Sequence, residues 1–148
     1  MATIQVDLDP LGVDPAGEPP TGFGGNTASL VYFLSFAFAA RYGAQHALSQ
    51  ASLLLRGGEH KIDLKPLLTF ADRAVDDPAD EQELERVWQD ADPLAACCRL
   101  VVEAIDGDAA IREELQEFPA LRDRIDELGR IVSWAAERGA RVRLTYTM

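Results

Sequence analysis

"ARVRLTYTM", Ala140–Met148, decides how this chain is read. Val142, Leu144 and Tyr146 alternate with Arg141, Arg143, Thr145 and Thr147, the period of a strand with one buried face. Near the other end "TIQVDLD", Thr3–Asp9, does the same: Ile4, Val6 and Leu8 alternate with Gln5, Asp7 and Asp9. Laid antiparallel, one register sets Asp9 by Arg141, Asp7 by Arg143 and Gln5 by Thr145. It also sets Leu8 by Val142, Val6 by Leu144 and Ile4 by Tyr146. Opposite charges then meet on a wet face and apolar side chains on the other.

Between these strands the pattern is helical. Residues 10–25 form a Pro/Gly-rich loop, and Asn26 or Thr27 can cap the helix that follows. Leu30, Leu34, Ala37, Arg41, Ala44, Leu48, Ala51 and Leu55 then recur at helical spacing, with Gly43 as a point of kink or break. Residues 52–64 read as a hairpin around Gly57-Gly58, because Lys61-Ile62-Asp63-Leu64 alternates; a helix end with Gly57 as its stop is the other reading. Asp63 then caps a helix with Pro66 in its first turn and Leu64, Leu67, Leu68, Ala71 and Val75 on its face. Asp80 and Glu83 have capping-box spacing for a short helix that includes Leu84, Val87 and Trp88. Asp92-Pro93 opens a helix facing inward with Leu94, Cys98, Val101 and Ile105. "DGDAAIREELQEF" gives one short helix more. Pro119–Arg138 gives the last, ended by Gly139, with Asp126 and Arg130 paired four residues apart. The expected fold is α+β: four to six helices packed on a small antiparallel sheet that joins the N- and C-terminal strands, in a single domain over residues 1–148.

Composition narrows the function classes. The chain has 47% hydrophobic and 26% charged residues, ordinary for a folded domain. Its net charge of −11, from 14 basic and 25 acidic residues, is not ordinary. Nucleic-acid binding rests on Lys and Arg neutralising phosphates, so that partner class is excluded, as is an anionic membrane surface. Ala28–Ala40 is uncharged but only 13 residues long, short of the about 18–20 needed for a span. Cys97 and Cys98 are adjacent, which does not suit a disulfide. The opening residues lack the apolar core of a signal peptide, and the expected location is cytoplasmic.

Candidate sites are few. Gly24-Gly25-Asn26-Thr27 opens a helix, where backbone N–H groups can hold a small anion or metabolite. No Lys-Ser or Lys-Thr follows, and Thr27 stands where a dinucleotide fingerprint needs its third glycine. Six of the eleven aromatics fall between Phe23 and Tyr42. They surround the helix, so it is either a central core helix or partly covered by another subunit. Tyr32, Phe33, Phe36 and Tyr42 are the candidate interface residues of a homodimer. Cys97 and Cys98 have no base in sequence reach and read as small hydrophobes. Glu59, His60 and Asp63, with His46 elsewhere, are too sparse a set to specify a metal. Asp106 and Asp108 lack the Gly and Glu of a calcium loop. From Asp72 to Asp92 nine acidic residues face two basic ones, Arg73 and Arg86: a solvated face or a docking surface for a basic protein. No nucleophile elbow or zinc-helix motif occurs, and no catalytic residue, metal or cofactor is expected. The expectation is a non-catalytic interaction or accessory protein, a homodimer with an acidic docking surface. The alternative is a small-anion or metabolite binder, or an enzyme, with its site at Gly22–Thr27.

Overall fold

A computed structural model describes residues 2–9, 23–40 and 45–148. Along the chain run β1 (Thr3–Asp9), α1 (Ala28–Ala39), α2 (Ala47–Arg56), β2 (Phe70–Asp72) and α3 (Pro78–Arg86). They are followed by β3 (Trp88–Asp90), α4 (Ala91–Gly107), α5 (Ala109–Glu114), α6 (Leu121–Glu137) and β4 (Arg141–Thr147). The fold is α+β, six helices on a four-stranded sheet among the described residues.

β4 is the centre of the sheet. β1 pairs with it antiparallel in the register read from the sequence, Asp7 opposite Arg143 and Val6 opposite Leu144. On its other edge two short strands sit end to end. β3 is antiparallel at Arg141–Arg143, and β2 is parallel at Leu144–Tyr146. The sheet is therefore mixed rather than antiparallel. The path from β2 to β4 runs through α3 to α6, long enough for the crossover that a parallel pair requires.

The two sheet faces differ in how far they are closed. Ile4, Val142 and Leu144 are buried in the helical core. The opposite face is polar and wet at its ends, where Thr3, Gln5, Arg141 and Thr147 are exposed, but closed at its centre, which corrects the expectation there. Thr145 is fully buried, and the side chains of Asp7 and Arg143 are only 14% and 17% exposed. Arg73 and Arg143 both donate to the Asp7 carboxylate, and Arg73 also donates to Thr145 Oγ1. Trp88 lies 4.5 Å from the Arg143 guanidinium, and Arg143 also reaches the Leu84 carbonyl, so α3 and β3 roof this ladder.

The apolar stripe of Leu30, Leu34, Ala37, Leu48, Ala51 and Leu55 is buried throughout, but across two helices. α2 starts afresh at His46, whose Nδ1 accepts from Leu48 N at 3.1 Å. Arg41, Tyr42, Gly43 and Ala44 lie outside the described residues, as does most of the 10–25 loop. The hairpin at 52–64 is not formed. α2 runs to Arg56, because Ser52 and Leu55 complete its buried face. Gly57 N bonds Leu53 O, and Gly58 takes φ +58° to turn the chain. Lys61–Leu64 keeps its alternation, with Ile62 and Leu64 buried, but no strand pairs with it.

The helix expected from Asp63 is also absent. Asp63 caps a single turn through Lys65 N at 2.9 Å, and the chain then enters β2, where β4 supplies hydrogen-bond partners. α3 begins three residues early, with a capping box of Asp77 and Asp80 and Pro78 in its first turn, and Trp88 falls in β3. α4 starts at Ala91, so Pro93 is its third residue and Asp92 is no cap. Leu94, Cys98, Val101 and Ile105 face inward as expected. α4 and α6 approach so closely that a Cβ on Gly129 would stand 3.0 Å from that of Cys98. Gly139, at φ +68°, releases the chain from α6 into β4.

Candidate functional site

An open cleft of about 480 Å³ lies where the C-terminal turn of α1, β2, α3 and the end of β4 meet. Three aromatic rings from distant parts of the chain form its floor. Phe38 comes from α1, Phe70 from β2 and Tyr146 from β4. Phe70 meets Phe38 at 6.0 Å and Tyr146 at 5.8 Å between centroids, both edge to face. Phe38, at the mouth, is 52% exposed.

Four carboxylates rim the cleft: Asp72, Asp76, Asp80 and Glu83. No Lys or Arg lines it among the described residues. Strand alternation explains why: Asp72 ends β2 on the cleft side, and Arg73, next in sequence, turns to the Asp7–Thr145 ladder. Arg86 reaches Glu83 at 2.8 Å, but both side chains are more than 60% exposed. Asp80 serves the helix, accepting from the N–H groups of Asp76 and Asp77. Burial and then the Asp72 charge push the Tyr146 hydroxyl above its ordinary pKa, keeping it a neutral phenol. An acid rim over an apolar aromatic floor attracts a cation with a flat or apolar body.

The glycine turn has another occupant. Gly24 N–H donates to the Glu127 carboxylate of α6. Arg124 Nε lies 3.1 Å from Glu127, and both side chains are at least 85% buried. A Cβ on Gly25 would stand 3.3 Å from Arg124 Nη1, so the glycine turn lies closely on this pair. Asn26 Oδ1 accepts from Ala28 N at 2.7 Å, and Thr27 Oγ1 accepts from Ile4 N at 2.9 Å, tying α1 to β1. The donors at Gly24 and Ala28 are thus satisfied within the chain; Gly22 lies outside the described residues.

The aromatic helix divides residue by residue. Phe33 is 1% exposed and belongs to the core. Phe36 is half-buried and stacked on His46, 3.9 Å between centroids and 6° from parallel. Tyr32 is 41% exposed. Cys97 and Cys98 are buried, and burial raises the Cys97 thiol to about 11 and Cys98 well above the usual range. Both thiols stay protonated. His60 Nε2 meets Asp108 at 2.8 Å, and Asp108 also caps α5 through Ala110 N. Asp106 pairs with Arg122 at 2.8 Å. No group of three or more metal-ligating side chains converges among the described residues, so Glu59, His60 and Asp63 are not gathered into one.

Sequence reading found the acid run but not the floor beneath it. Phe70 falls inside the helix expected from Asp63 to Val75, off its named face, and Tyr146 reads only as part of a buried strand face. Their meeting with Phe38 depends on the parallel β2–β4 pair, which no local signal announces. No helix among the described residues is long and apolar enough to cross a membrane. Comparison with protein-family models, curated proteins and solved structures finds no match to this chain.

Proposed function

We propose that this is a non-catalytic interaction protein of the cytoplasm that docks a basic segment of a protein partner in the acid-rimmed cleft, and that it acts as a homodimer. The cleft carries this reading: four carboxylates and three aromatic rings converge there, and no Lys or Arg lines it among the described residues. Its concentrated charge steers a basic partner. With a net charge of −11, the same chain repels nucleic acid. Tyr32, exposed on the same helix as Phe38, is the aromatic available to a second copy. The small-anion alternative at Gly22–Thr27 loses support where Glu127 holds Gly24 N–H.

Titration of the protein with a lysine nonapeptide tests the docking. Binding is expected to weaken as salt rises. It should be lost in the triple variant Asp72→Asn, Asp76→Asn, Glu83→Gln, which spares Asp80 because that carboxylate caps α3. Equal binding by the variant would overturn the assignment of the cleft. A native mass spectrum tests the homodimer, and a monomer at micromolar concentration would remove that part.

A further inference from the structure

β1 is the long outer edge of the sheet. β2 and β3, on the other edge, are three residues each, whereas β1 runs seven. Ile4 N–H points away from β4, because it donates to Thr27 Oγ1 at 2.9 Å. By alternation the N–H and C=O groups of Val6 and Leu8 point the same way. No described residue bonds them there. We infer that these groups pair with β1 of a second copy of this chain, antiparallel about a two-fold axis at Asp7, so that the two sheets become one. This rests on the homodimer proposed above and says where the copies meet.

Edge strands are normally guarded by Lys, Pro, a bulge, unpaired charge or a short length. β1 holds no Lys or Pro, and no bulge breaks its register with β4. Its carboxylates are neutralised within the chain: Asp9 meets Arg141, and Asp7 meets Arg73 and Arg143. This strip therefore lets a second copy approach, in a chain whose net charge of −11 is otherwise repulsive to one. The register follows from the groups left over. Thr27 occupies the edge at Ile4, which leaves Val6 and Leu8. One two-fold register uses both, with Val6 opposite Leu8 of the second copy and each residue exchanging N–H and C=O with its opposite. Both side chains are half-buried against the core, so apolar meets apolar across the new pair. On the polar face Gln5 falls opposite Asp9 of the second copy, an amide donor to a carboxylate. The two Asp7 carboxylates meet at the axis, each already held by Arg73 and Arg143. Such a contact uses the same patch on both copies and closes at two.

Sedimentation velocity and amide hydrogen exchange of the intact protein test this. The expected result is a dimer in which the Val6 and Leu8 amides are protected, with that protection lost on dilution to monomer. Gln5 is exposed, so Gln5→Glu should fold normally, which circular dichroism checks. The change sets a carboxylate against Asp9 of the second copy on both sides of the axis, and should weaken the dimer about tenfold. Gln5→Lys should tighten it several-fold. Leu8→Pro removes only an outward N–H of the edge strand and should abolish the dimer. A dimer whose Val6 and Leu8 amides exchange freely, and whose dissociation constant is the same in both Gln5 variants, overturns the edge pairing and leaves the homodimer standing. A monomer at micromolar concentration removes both.

Discussion

Asp7 and Asp9 sit two residues apart on one strand, each opposite an arginine of β4, and should differ sharply in what they contribute. Asp9 and Arg141 are 43% and 52% exposed, so their ion pair is screened by water and contributes about 0–1 kcal/mol. Asp7 is 14% exposed and accepts from two guanidiniums, Arg73 at 3.0 Å and Arg143 at 3.0 Å. Asp7→Asn would remove the carboxylate the two arginines share, leaving Arg143 only the exposed Glu85 at 3.8 Å. Breaking a buried pair costs about 3–5 kcal/mol. Arg73 is 36% exposed and can recover some hydration, which lowers the expectation to about 2–3 kcal/mol. For a domain of this size that is a fall of about 4–12 °C in Tm. Urea denaturation of Asp7→Asn and Asp9→Asn, followed by circular dichroism, measures the two costs side by side. Equal costs would refute the closed centre of the polar face, and with it the claim that the β1–β4 register stabilises the fold through buried charge.

Three further outcomes follow from burial and charge. Phe33→Ala should cost about 3–5 kcal/mol because the ring fills the core, while Tyr32→Ala should stay within about 0.5 kcal/mol; chemical denaturation separates them. Asp108 has its carboxyl held below the ordinary range, first by the His60 hydrogen bond. That contribution is present above the unfolded pKa of about 3.9 and disappears as pH falls through the folded value. The stability gap between the wild type and Asp108→Asn should therefore narrow as urea titrations move from neutral pH to acid. Cys97 and Cys98, buried and protonated, should resist a thiol reagent in the native protein and react at once in denaturant.

The terminal strands were legible to the residue, because a period of two and opposed charges leave one register that satisfies both faces. α4 and α6 were legible because each runs 17 residues with a continuous buried stripe. The segment 52–75 was misread because its signals are short. Four alternating residues, Lys61–Leu64, look like a strand whether or not a partner exists. Leu64, Leu67 and Leu68 look like a helix whether one turn or four follow. Tertiary partners decided both cases. Ser52 and Leu55 packed with the helices and kept α2 intact, and β4 drew Phe70–Asp72 into the sheet.

The cleft was hidden for the same physical reason. Its acids lie together in sequence, so composition exposes them, whereas its rings lie at positions 38, 70 and 146 and only the fold brings them together. A solvated acidic helix and a docking rim have the same sequence. What separates them is the surface between the acids. α3 buries none of its own residues, so its carboxylates gain no packing that would explain where they stand. Phe38 lies near the end of a helix that buries Leu30, Phe33 and Leu34, and it is 52% exposed, as Tyr32 is at 41%. An exposed ring costs stability that a polar residue there would not, since turning it inward would recover about 1.5–3 kcal/mol of hydrophobic burial. Four carboxylates grouped around three rings, with no Lys or Arg of the described residues among them, are the arrangement a bare solvated face leaves unexplained.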